Sequence, residues 1–335
     1  MDLLTRTNAF ISLGTRIANL KGTEKSAIAI EAGQHNGWFT QASVESALQA
    51  LSLMLSEQKL TEWVGRYSFS NPSRTVGIAM AGNIPLVGFH DLLCVLISGH
   101  KAIIKTSAQD SYLIDLLLQW LIELEPRFQN FVLKAERLNG VEATIATGSD
   151  NTSRYFEYYF RKIPHIIRKN RSSCAILMGE EPAAELEKLG HDVFTYFGLG
   201  CRNVAKLFVP ADYDFRLLLE SWSPFRDVIN HHKYANNYDY QKSIMLVNQT
   251  PFFDNEFVLL TENQNLVSPI SVLFYEHYKC QQDLKEKIDG HQSKLQCCIS
   301  ANGWFTGSIP FGKAQQPELW DYADNIDTLK FLTSL

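Results

Sequence analysis

Cys201 is the side chain whose sequence surroundings most favour chemistry. It follows Gly198 and Gly200 and precedes Arg202. The glycines let the backbone approach a ligand closely, and the adjacent positive charge favours the thiolate, which is the nucleophilic form of cysteine. Many cysteines instead pack as small apolar side chains. We interpret three of the six in that way: Cys94, Cys174 and Cys280. The sequence therefore predicts Cys201 as a nucleophile.

A second group of candidate residues follows three short apolar segments. Asn83 comes after residues 75–81, Lys105 ends residues 102–105, and Gly148 and Ser149 follow residues 141–146. Each segment has the length and apolar content of a buried strand, and helical segments separate them. This alternation predicts an α/β fold with a parallel sheet, in which ligands bind outside the carboxyl ends of the strands. We therefore expect these four residues to face one crevice.

Other elements must support this sheet and the nucleophile. Residues 1–66 predict helices, most clearly at residues 40–56, where apolar residues recur at helical spacing after N-cap candidates at residues 40–43. Residues 175–178 and 204–209 predict further strands. Cys297 and Cys298 are neighbours on another predicted strand, so their side chains should point to opposite faces. They do not form a metal site by themselves, and the sequence predicts none elsewhere.

Composition narrows the possible classes of protein. The chain has 335 residues, with 31 Lys and Arg against 36 Asp and Glu, and a net charge of −5. This mildly acidic balance is not typical of a nucleic-acid binder, and a hydrophobic content of 45% excludes intrinsic disorder. The sequence shows no apolar run suited to membrane insertion, no secretory signal and no disulfide-framework spacing. We expect a cytoplasmic protein of about two domains with reduced thiols.

Six short segments, in order along the chain, resemble those of a known family. They are Gly82-Asn83-Ile84-Pro85-Leu86, Lys105-Thr106-Ser107, Thr147-Gly148-Ser149, Phe197-Gly198-Leu199-Gly200-Cys201, Ser268-Pro269 and Pro310-Phe311-Gly312. Together they resemble the aldehyde dehydrogenase superfamily. Residues 231–238, with the sequence HHKYANNY, are similar to its LuxC-type branch of fatty acyl-CoA reductases, which is related to the bacterial luminescence reductase.

The resemblance implies catalytic roles for two of the matched residues. Cys201 would be the acyl-accepting nucleophile. Asn83 would donate its side-chain amide, together with the Cys201 backbone N–H, to the oxyanion of the tetrahedral intermediate. His231 and His232 are candidates for a proton donor or a substrate contact by residue type, and a structural or surface histidine pair is the alternative for both.

The resemblance also implies a nicotinamide cofactor. Lys105 would reach the adenosine ribose, and the helix that Gly148 and Ser149 open would favour the pyrophosphate through its N-terminal N–H groups. NAD-preferring relatives often carry a glutamate at the position of Ala108. Because a carboxylate there would repel a 2′-phosphate, Ala108 leaves room for NADPH, with NADH as the other possibility.

One departure from the family pattern concerns the reaction. Aldehyde-oxidising members carry a glutamate base that activates water, whereas the corresponding stretch here, residues 166–173, contains no carboxylate. Without that base a thioacyl-enzyme is not hydrolysed to the acid, so exchange with a thiol and hydride transfer are favoured. The resemblance therefore implies NADPH-dependent reduction of a fatty acyl-CoA to the aldehyde.

The expected organisation has three parts. Residues 1–195 would hold N-terminal helices and the NAD(P)-binding domain, residues 196–300 the catalytic domain, and residues 301–335 a tail that returns to the coenzyme domain or a partner subunit. We expect a homo-oligomer, with an acyl-donating enzyme as a candidate partner. Two alternatives stay open: an aldehyde-oxidising dehydrogenase or acyl-phosphate reductase on the same fold, and a non-catalytic acyl-binding or interaction protein.

Overall fold

The chain forms two domains, each built around one sheet. The computed structural model describes residues 1–335, except for the side chain of Asp150. We call Met1–Asn170 together with Glu318–Leu335 the first domain, and Arg171–Pro317 the second domain. The predicted α/β fold is confirmed, because parallel strands alternate with helices in both domains.

Helices open the first domain, as the helical spacing predicts. They are α1 (Leu3–Ala18), α2 (Gly22–His35), α3 (Gln41–Met54) and α4 (Glu57–Val64). Thr40 is the N-cap of α3, and its hydroxyl accepts the Ser43 N–H at 3.2 Å. Val44, Leu48 and Leu51 of α3 are buried in the core of the domain, so one face of the helix is apolar and packed.

The first sheet follows these helices. Its elements are β1 (Thr75–Ala79), α5 (Phe89–Ile97), β2 (Lys101–Lys105), α6 (Ser111–Leu124), β3 (Val132–Lys134), β4 (Ala143–Thr147), α7 (Asp150–Phe160) and β5 (His165–Arg168). The strand order is β3-β2-β1-β4-β5, and every neighbouring pair is parallel. The strands predicted before Asn83, Lys105 and Gly148 are confirmed as β1, β2 and β4. The short strands β3 and β5 extend the sheet on its two sides.

The second domain contains the larger sheet. Its elements are β6 (Ser172–Ile176), α8 (Ala183–Phe194), β7 (Val204–Pro210), α9 (Phe215–Ser221), α10 (His232–Val247), β8 (Phe253–Asp254), β9 (Leu259–Glu262), β10 (Val272–Tyr278), α11 (Gln281–His291), β11 (Leu295–Ser300) and β12 (Ile309–Pro310). The order is β12-β11-β6-β7-β10-β9-β8. Only the pair of β8 and β9 is antiparallel among the strand pairs described.

The domain boundary lies elsewhere than at residue 195, where the sequence places it. The chain passes to the second domain between Asn170 and Arg171. The reason is that β6 pairs with β7 and β11, while α8 buries Leu186 and Leu189 in the same core. The composition changes after residue 195, but it does not reveal which strands β6 will join.

The expected tail is also divided. Residues 301–317 stay in the second domain, where β12 pairs with β11. Residues 318–335 return to the first domain and form α12 (Thr328–Thr333), whose Leu329 and Leu332 are buried in the first core. Among the described residues, no helix has both the length and the apolar content needed to cross a bilayer.

Candidate functional site

The carboxyl edge of the first sheet collects the residues predicted from strand ends. β1 is parallel to β2 on one side and to β4 on the other, so the carboxyl ends of all three lie side by side. Asn83 follows β1, Lys105 ends β2, and Gly148 and Ser149 follow β4. The order of the strands places the topological switch point between β1 and β4, where open α/β sheets bind ligands. These four residues therefore belong to the edge at which a ligand is expected.

The backbone of the loop that carries Asn83 is closely packed, whereas the Asn83 side chain is exposed. A Cβ atom on Gly82 would lie 2.5 Å from Ser107 Cβ, so only glycine fits beside that residue. Leu86 has a left-handed backbone with φ of 61°, and its N–H donates to Asp110 Oδ2 at 2.7 Å. Asn83 is exposed on this loop. The loop thus presents an amide side chain to solvent on a backbone that neighbouring residues hold.

Asp110 is a supporting residue that the sequence did not reveal. It occupies the N-cap position of α6, yet its side chain caps no N–H of that helix. Its side chain is buried, with the residue only 2% exposed, and it accepts the Leu86 N–H instead. Burial raises the pKa of this carboxyl to about 8, while the hydrogen bond from Leu86 opposes the rise. Asp110 therefore links the stability of the Asn83 loop to pH.

Gly148 and Ser149 form the start of α7. The Gly148 N–H donates to the Arg168 carbonyl oxygen at 3.2 Å, so this N–H already has an acceptor. Ser149 is the N-cap, and its hydroxyl accepts the Thr152 N–H at 3.3 Å. A Cβ atom on Gly148 would lie 2.9 Å from Thr152 Cβ, so this position requires glycine. An anion bound here would meet the positive end of the α7 dipole, and Gly148 has no side chain.

Arg168 is a buried charged residue in residues 166–173, the stretch that contains no carboxylate. It ends β5 and is 4% exposed, and its guanidinium contacts the Asp91 carboxylate and donates to Thr328 Oγ1 at 2.7 Å. Burial lowers the pKa of Arg168, but the charge of Asp91 and the hydrogen bond to its carboxylate, with smaller contributions from other groups, together raise that pKa above its ordinary value. Asp91 belongs to another part of the first domain, and its carboxylate is buried in an ion pair with the Arg168 guanidinium. It is therefore held as a charge partner of Arg168.

Cys201 lies in the second domain, in a turn between α8 and β7. Tyr196, Phe197 and Gly198 have consecutive positive φ values of 55°, 58° and 77°. Left-handed backbone is unfavourable by roughly 1–2 kcal/mol for each residue with a Cβ, and it persists only where the surroundings hold it. Cys201 itself is half-buried, as is typical of reactive cysteines. The segment Tyr196–Asn203 is called the nucleophile turn below.

Asn203 is the residue that holds the nucleophile turn, and the sequence did not identify it. Its side-chain Oδ1 accepts the Gly200 N–H at 2.8 Å. Its Nδ2 donates to the carbonyl oxygens of Asp192 at 3.0 Å and Thr195 at 2.8 Å. Asn203 is 2% exposed, so these hydrogen bonds form away from water. One amide thereby joins the residue before Cys201 to the end of α8.

Ser173 fixes the other side of Cys201. Its hydroxyl donates to the Cys201 carbonyl oxygen at 3.0 Å and lies 3.1 Å from Cys297 Sγ. Ser173 is fully buried on β6. Burial raises the pKa of the Cys297 thiol to about 11, although the positive charge of Arg202 opposes that rise. A second thiol therefore lies beside the nucleophile turn and is protonated at neutral pH.

One of the two candidate histidines lies against the same turn, and the other stacks on it. The His231 ring centroid is 4.5 Å from that of Phe197, and the His232 ring stacks on His231 at 5.2 Å. Tyr234 adds a third ring at 6.0 Å from Phe197. His231 therefore contacts the left-handed part of the turn directly, whereas the ring contact of His232 is with His231.

Asp192 ties the Pro310-Phe311-Gly312 segment to α8. Its carboxylate accepts the N–H groups of Gly312 at 2.6 Å and Ala314 at 3.0 Å. The residue is fully buried, and burial raises its pKa to about 7 against the effect of the two hydrogen bonds. Because Asn203 binds the Asp192 carbonyl, the end of α8 holds both the nucleophile turn and one of the matched segments.

Comparison with known proteins supports the predicted resemblance. The family described as "Acyl-CoA reductase (LuxC)" matches residues 17–141, a range that includes Asn83 and Lys105. A long-chain acyl-protein thioester reductase of Aliivibrio fischeri is 22% identical over 174 residues, which is 46% of this chain and 36% of that protein. The chain thus spans about a third of the curated relative that it matches.

Solved structures share the fold. An aldehyde dehydrogenase of Mycobacterium tuberculosis, solved with NAD+, matches with a TM-score of 0.64 and 12% identity over 90% of this chain and 73% of that chain. An NAD-dependent benzaldehyde dehydrogenase of Corynebacterium glutamicum matches with a TM-score of 0.66 and 10% identity, over 90% and 76% of the two chains. At this identity the likeness shows the aldehyde dehydrogenase fold.

Proposed function

We propose, on the premise of its resemblance to the LuxC-type branch of the aldehyde dehydrogenase superfamily, that this chain reduces an acyl thioester to the aldehyde. The thioester is a fatty acyl-CoA, and the acyl group passes through a thioester on Cys201. One observation carries the proposal. Cys201 lies half-buried on a strained turn that Asn203 and Ser173 hold by buried hydrogen bonds.

The first half of the reaction is acyl transfer. The Cys201 thiolate attacks the carbonyl carbon of the thioester, the carbon–sulfur bond to CoA breaks, and CoA leaves as its thiolate, which takes up a proton from water. The Asn83 amide and the Cys201 backbone N–H are the proposed donors to the oxyanion of the tetrahedral intermediate. The strained turn favours this step, because a rigid turn holds the nucleophile in one orientation before the substrate arrives.

The second half of the reaction requires that no base activates water to hydrolyse the thioacyl group. Residues 166–173 provide no carboxylate, and Asp91 is ion-paired with the buried Arg168. A thioacyl group on Cys201 is therefore not hydrolysed by a neighbouring base, and it persists until it is reduced. Hydride addition to the thioacyl carbon would give a thiohemiacetal on Cys201, and cleavage of its carbon–sulfur bond would then release the aldehyde and the Cys201 thiol. His231 is the proposed proton donor to the thiohemiacetal oxygen, which gives its proton up again as the aldehyde forms, since the His231 ring lies against the nucleophile turn. His232 is the alternative donor.

The carboxyl edge of the first sheet suits a dinucleotide. The α7 N-terminus offers positive potential to a pyrophosphate. Lys105 and Ala108 are both exposed beside this edge, which leaves space for a phosphorylated ribose. We assign NADPH as the cofactor, with NADH as the alternative, and the reduced nicotinamide supplies the hydride. We also propose that the chain forms a homo-oligomer and that an acyl-donating enzyme is its partner.

A panel of acyl-CoA thioesters with NADPH tests the proposal directly. We expect loss of NADPH absorbance with formation of a trapped aldehyde and little free acid. Without coenzyme, mass spectrometry should find one acyl adduct, on the peptide that contains Cys201, and none in Cys201→Ala. Cys280→Ala serves as the matched control, because Cys280 is exposed on the same domain. An adduct on Cys174 or Cys280 would exclude Cys201 as the nucleophile. Free acid as the main product would favour an aldehyde-oxidising enzyme, and no adduct at all a non-catalytic protein.

A further inference from the structure

A second thiol lies beside the nucleophile and has no role in the proposed reaction. Ser173 Oγ donates to the Cys201 carbonyl oxygen at 3.0 Å and contacts Cys297 Sγ at 3.1 Å. A single buried hydroxyl therefore touches both cysteines. A hydroxyl has one hydrogen. Because that hydrogen points to Cys201, the Cys297 thiol donates its own hydrogen to Ser173.

The strand register explains why Cys297 faces this way. Cys298 pairs with Cys174 across β11 and β6, and their sulfur atoms are 3.4 Å apart. Successive side chains of a strand point to opposite faces, so Cys297 projects from the face opposite to Cys298. That face is the one on which Ser173 meets the nucleophile turn. The sequence predicted opposite faces for the two cysteines, but not what either face contacts.

The surroundings of Cys297 keep its thiol in the neutral form. Burial is the main cause of the raised pKa of Cys297, and charge on Cys201 raises it further. Cys297 is thus protonated while it waits, and it does not compete with Cys201 for an electrophile from solvent. A protonated thiol held by Ser173 beside the turn of the half-buried Cys201 has the placement of a resolving thiol.

We propose that Cys297 is an oxidative modification site, which captures Cys201 as a reversible disulfide after a hydroperoxide has oxidised it. The Cys201 thiolate attacks one peroxide oxygen, the O–O bond breaks, and the alkoxide or hydroxide takes up a proton and leaves as an alcohol or water. Cys201 is then a sulfenic acid. The Cys297 sulfur attacks the Cys201 sulfur and the S–O bond breaks. The departing oxygen takes the Cys297 proton and leaves as water. Two thiols and one hydroperoxide give one disulfide, one alcohol and one water.

The consequence is protection of the nucleophile. Sulfenic acid that is not captured proceeds to sulfinic acid, which thiols do not reverse, whereas a disulfide is reduced by a thiol. Cys201 can thus be recovered after oxidation. The Cys174 and Cys298 pair does not substitute for Cys297, because Cys298 projects from the other face of β11.

Peptide mapping of the full chain after oxidation tests this proposal without measuring catalysis. Equimolar hydrogen peroxide is added, remaining thiols are alkylated, and the unreduced protein is digested with trypsin. We expect a cross-linked pair of residues 189–202 and 295–313, two hydrogens lighter than the separate thiols, with fragments that place the bond at Cys297. Dithiothreitol should remove it. Dimedone, which traps sulfenic acid, should label Cys201 several-fold more in Cys297→Ser than in the wild type.

Two variants complete the experiment. Cys298→Ser should form the same cross-link as the wild type, and so should Cys280→Ser. A wild-type protein that accumulates the dimedone adduct on Cys201 without any cross-link would overturn the proposal. So would a cross-link that survives in Cys297→Ser. Because the readout is a covalent bond, a negative result here leaves the acyl-transfer experiment to be judged separately.

Discussion

The Asn203 side-chain carbonyl accepts the Gly200 N–H at 2.8 Å, while the same amide donates to the Thr195 carbonyl oxygen at 2.8 Å. The turn that carries Cys201 is therefore closed by one buried residue that must both accept and donate. Asp has the same shape as Asn but cannot donate when ionised.

We expect Asn203→Asp to destabilise the chain by about 1–3 kcal/mol and to slow acylation of Cys201, because the α8 carbonyl oxygens lose their donor. Urea unfolding measures the first effect and single-turnover mass spectrometry the second. Asn248→Asp is the matched control, since Asn248 is exposed at the end of α10. A variant at residue 203 that acylates at the wild-type rate would show that the turn keeps its shape without this amide.

Asn83→Ala should reduce the rate of the chemical steps much more than it weakens substrate binding. Removal of one oxyanion donor lowers the rate by about 10²–10³, because the lost interaction is stronger in the transition state than in the ground state. The rate constant of acylation in a single turnover measures this. Asn130→Ala is a suitable control, because Asn130 is exposed and precedes β3, at the opposite edge of the sheet. An unchanged acylation rate would remove Asn83 from the mechanism.

The two possible roles of His231 separate with two substitutions. His231→Phe keeps a ring against Phe197 but carries no proton, whereas His231→Ala removes both. If His231 donates the proton, the Phe variant acylates normally but reduces the thioester about 10²–10⁴ times more slowly. The Ala variant should be slow in both steps. His232→Phe is the control, because its ring contact is with His231. Normal reduction by the His231→Phe variant would leave this ring as packing alone.

The pH dependence of stability should report on Asp110. Its carboxyl has a pKa of about 8 in the fold, against an ordinary pKa of 3.8 for an aspartate side chain. A folded pKa above the unfolded one means that the stabilising contribution is complete below pH 3.8 and is lost as the pH rises towards 8. Asp110→Asn cannot ionise but still accepts the Leu86 N–H. As the pH rises, the free energy of unfolding of the variant should therefore increase relative to that of the wild type, by an amount on the order of a few kcal/mol.

Urea unfolding at pH 5 to 9 measures this difference. Asp115→Asn is the control, because Asp115 lies half-buried on the same helix and pairs with Lys134 at the surface. Surface pairs contribute about 1 kcal/mol or less, so that variant should differ little from the wild type across the range. A difference between wild type and Asp110→Asn that does not change with pH would mean that the carboxyl does not titrate in the fold.

The choice of coenzyme should depend on residue 108. Ala108 and Lys105 are exposed at the end of β2, and Ala108→Glu would place a negative charge against a 2′-phosphate. One such contact should weaken NADPH binding by about 1–4 kcal/mol, whereas NADH binding should change little or improve. Titration of both coenzymes measures the ratio. Gln109→Glu adds the same charge one residue further on and serves as the control. A ratio that Ala108→Glu leaves unchanged would show that residue 108 does not face the ribose.

The sequence predicts more of the sheet than of the turn. Apolar runs identify β1, β2 and β4, and strand ends identify Asn83, Lys105 and Gly148, because these signals are local. The supporting residues Asp110 and Asn203 were missed. Asp110 follows a strand and precedes a helix, so it resembles an ordinary N-cap. Its real acceptor role depends on Leu86, which lies on another loop.

The partners of Asn203 and Ser173 explain the remaining failures. Asn203 binds the Thr195 carbonyl oxygen across an irregular turn, and Ser173 on β6 binds the Cys201 carbonyl oxygen from another strand, so neither contact follows a helical or strand period. The domain boundary at residue 170 depends in the same way on the pairing of β6 with β7 and β11. Periodicity and composition carry no information about such pairings.

The first domain is closed by residues that come late in the sequence. Trp63 Nε1 donates to the Tyr322 hydroxyl at 2.8 Å, His100 Nε2 contacts the Leu332 carbonyl oxygen at 2.9 Å, and Thr328 accepts from Arg168. All residues of the second domain precede this closing segment. During synthesis the whole second domain therefore leaves the ribosome before α12 of the first domain does. The order in which the two domains can finish folding during synthesis is the reverse of the order in which they begin.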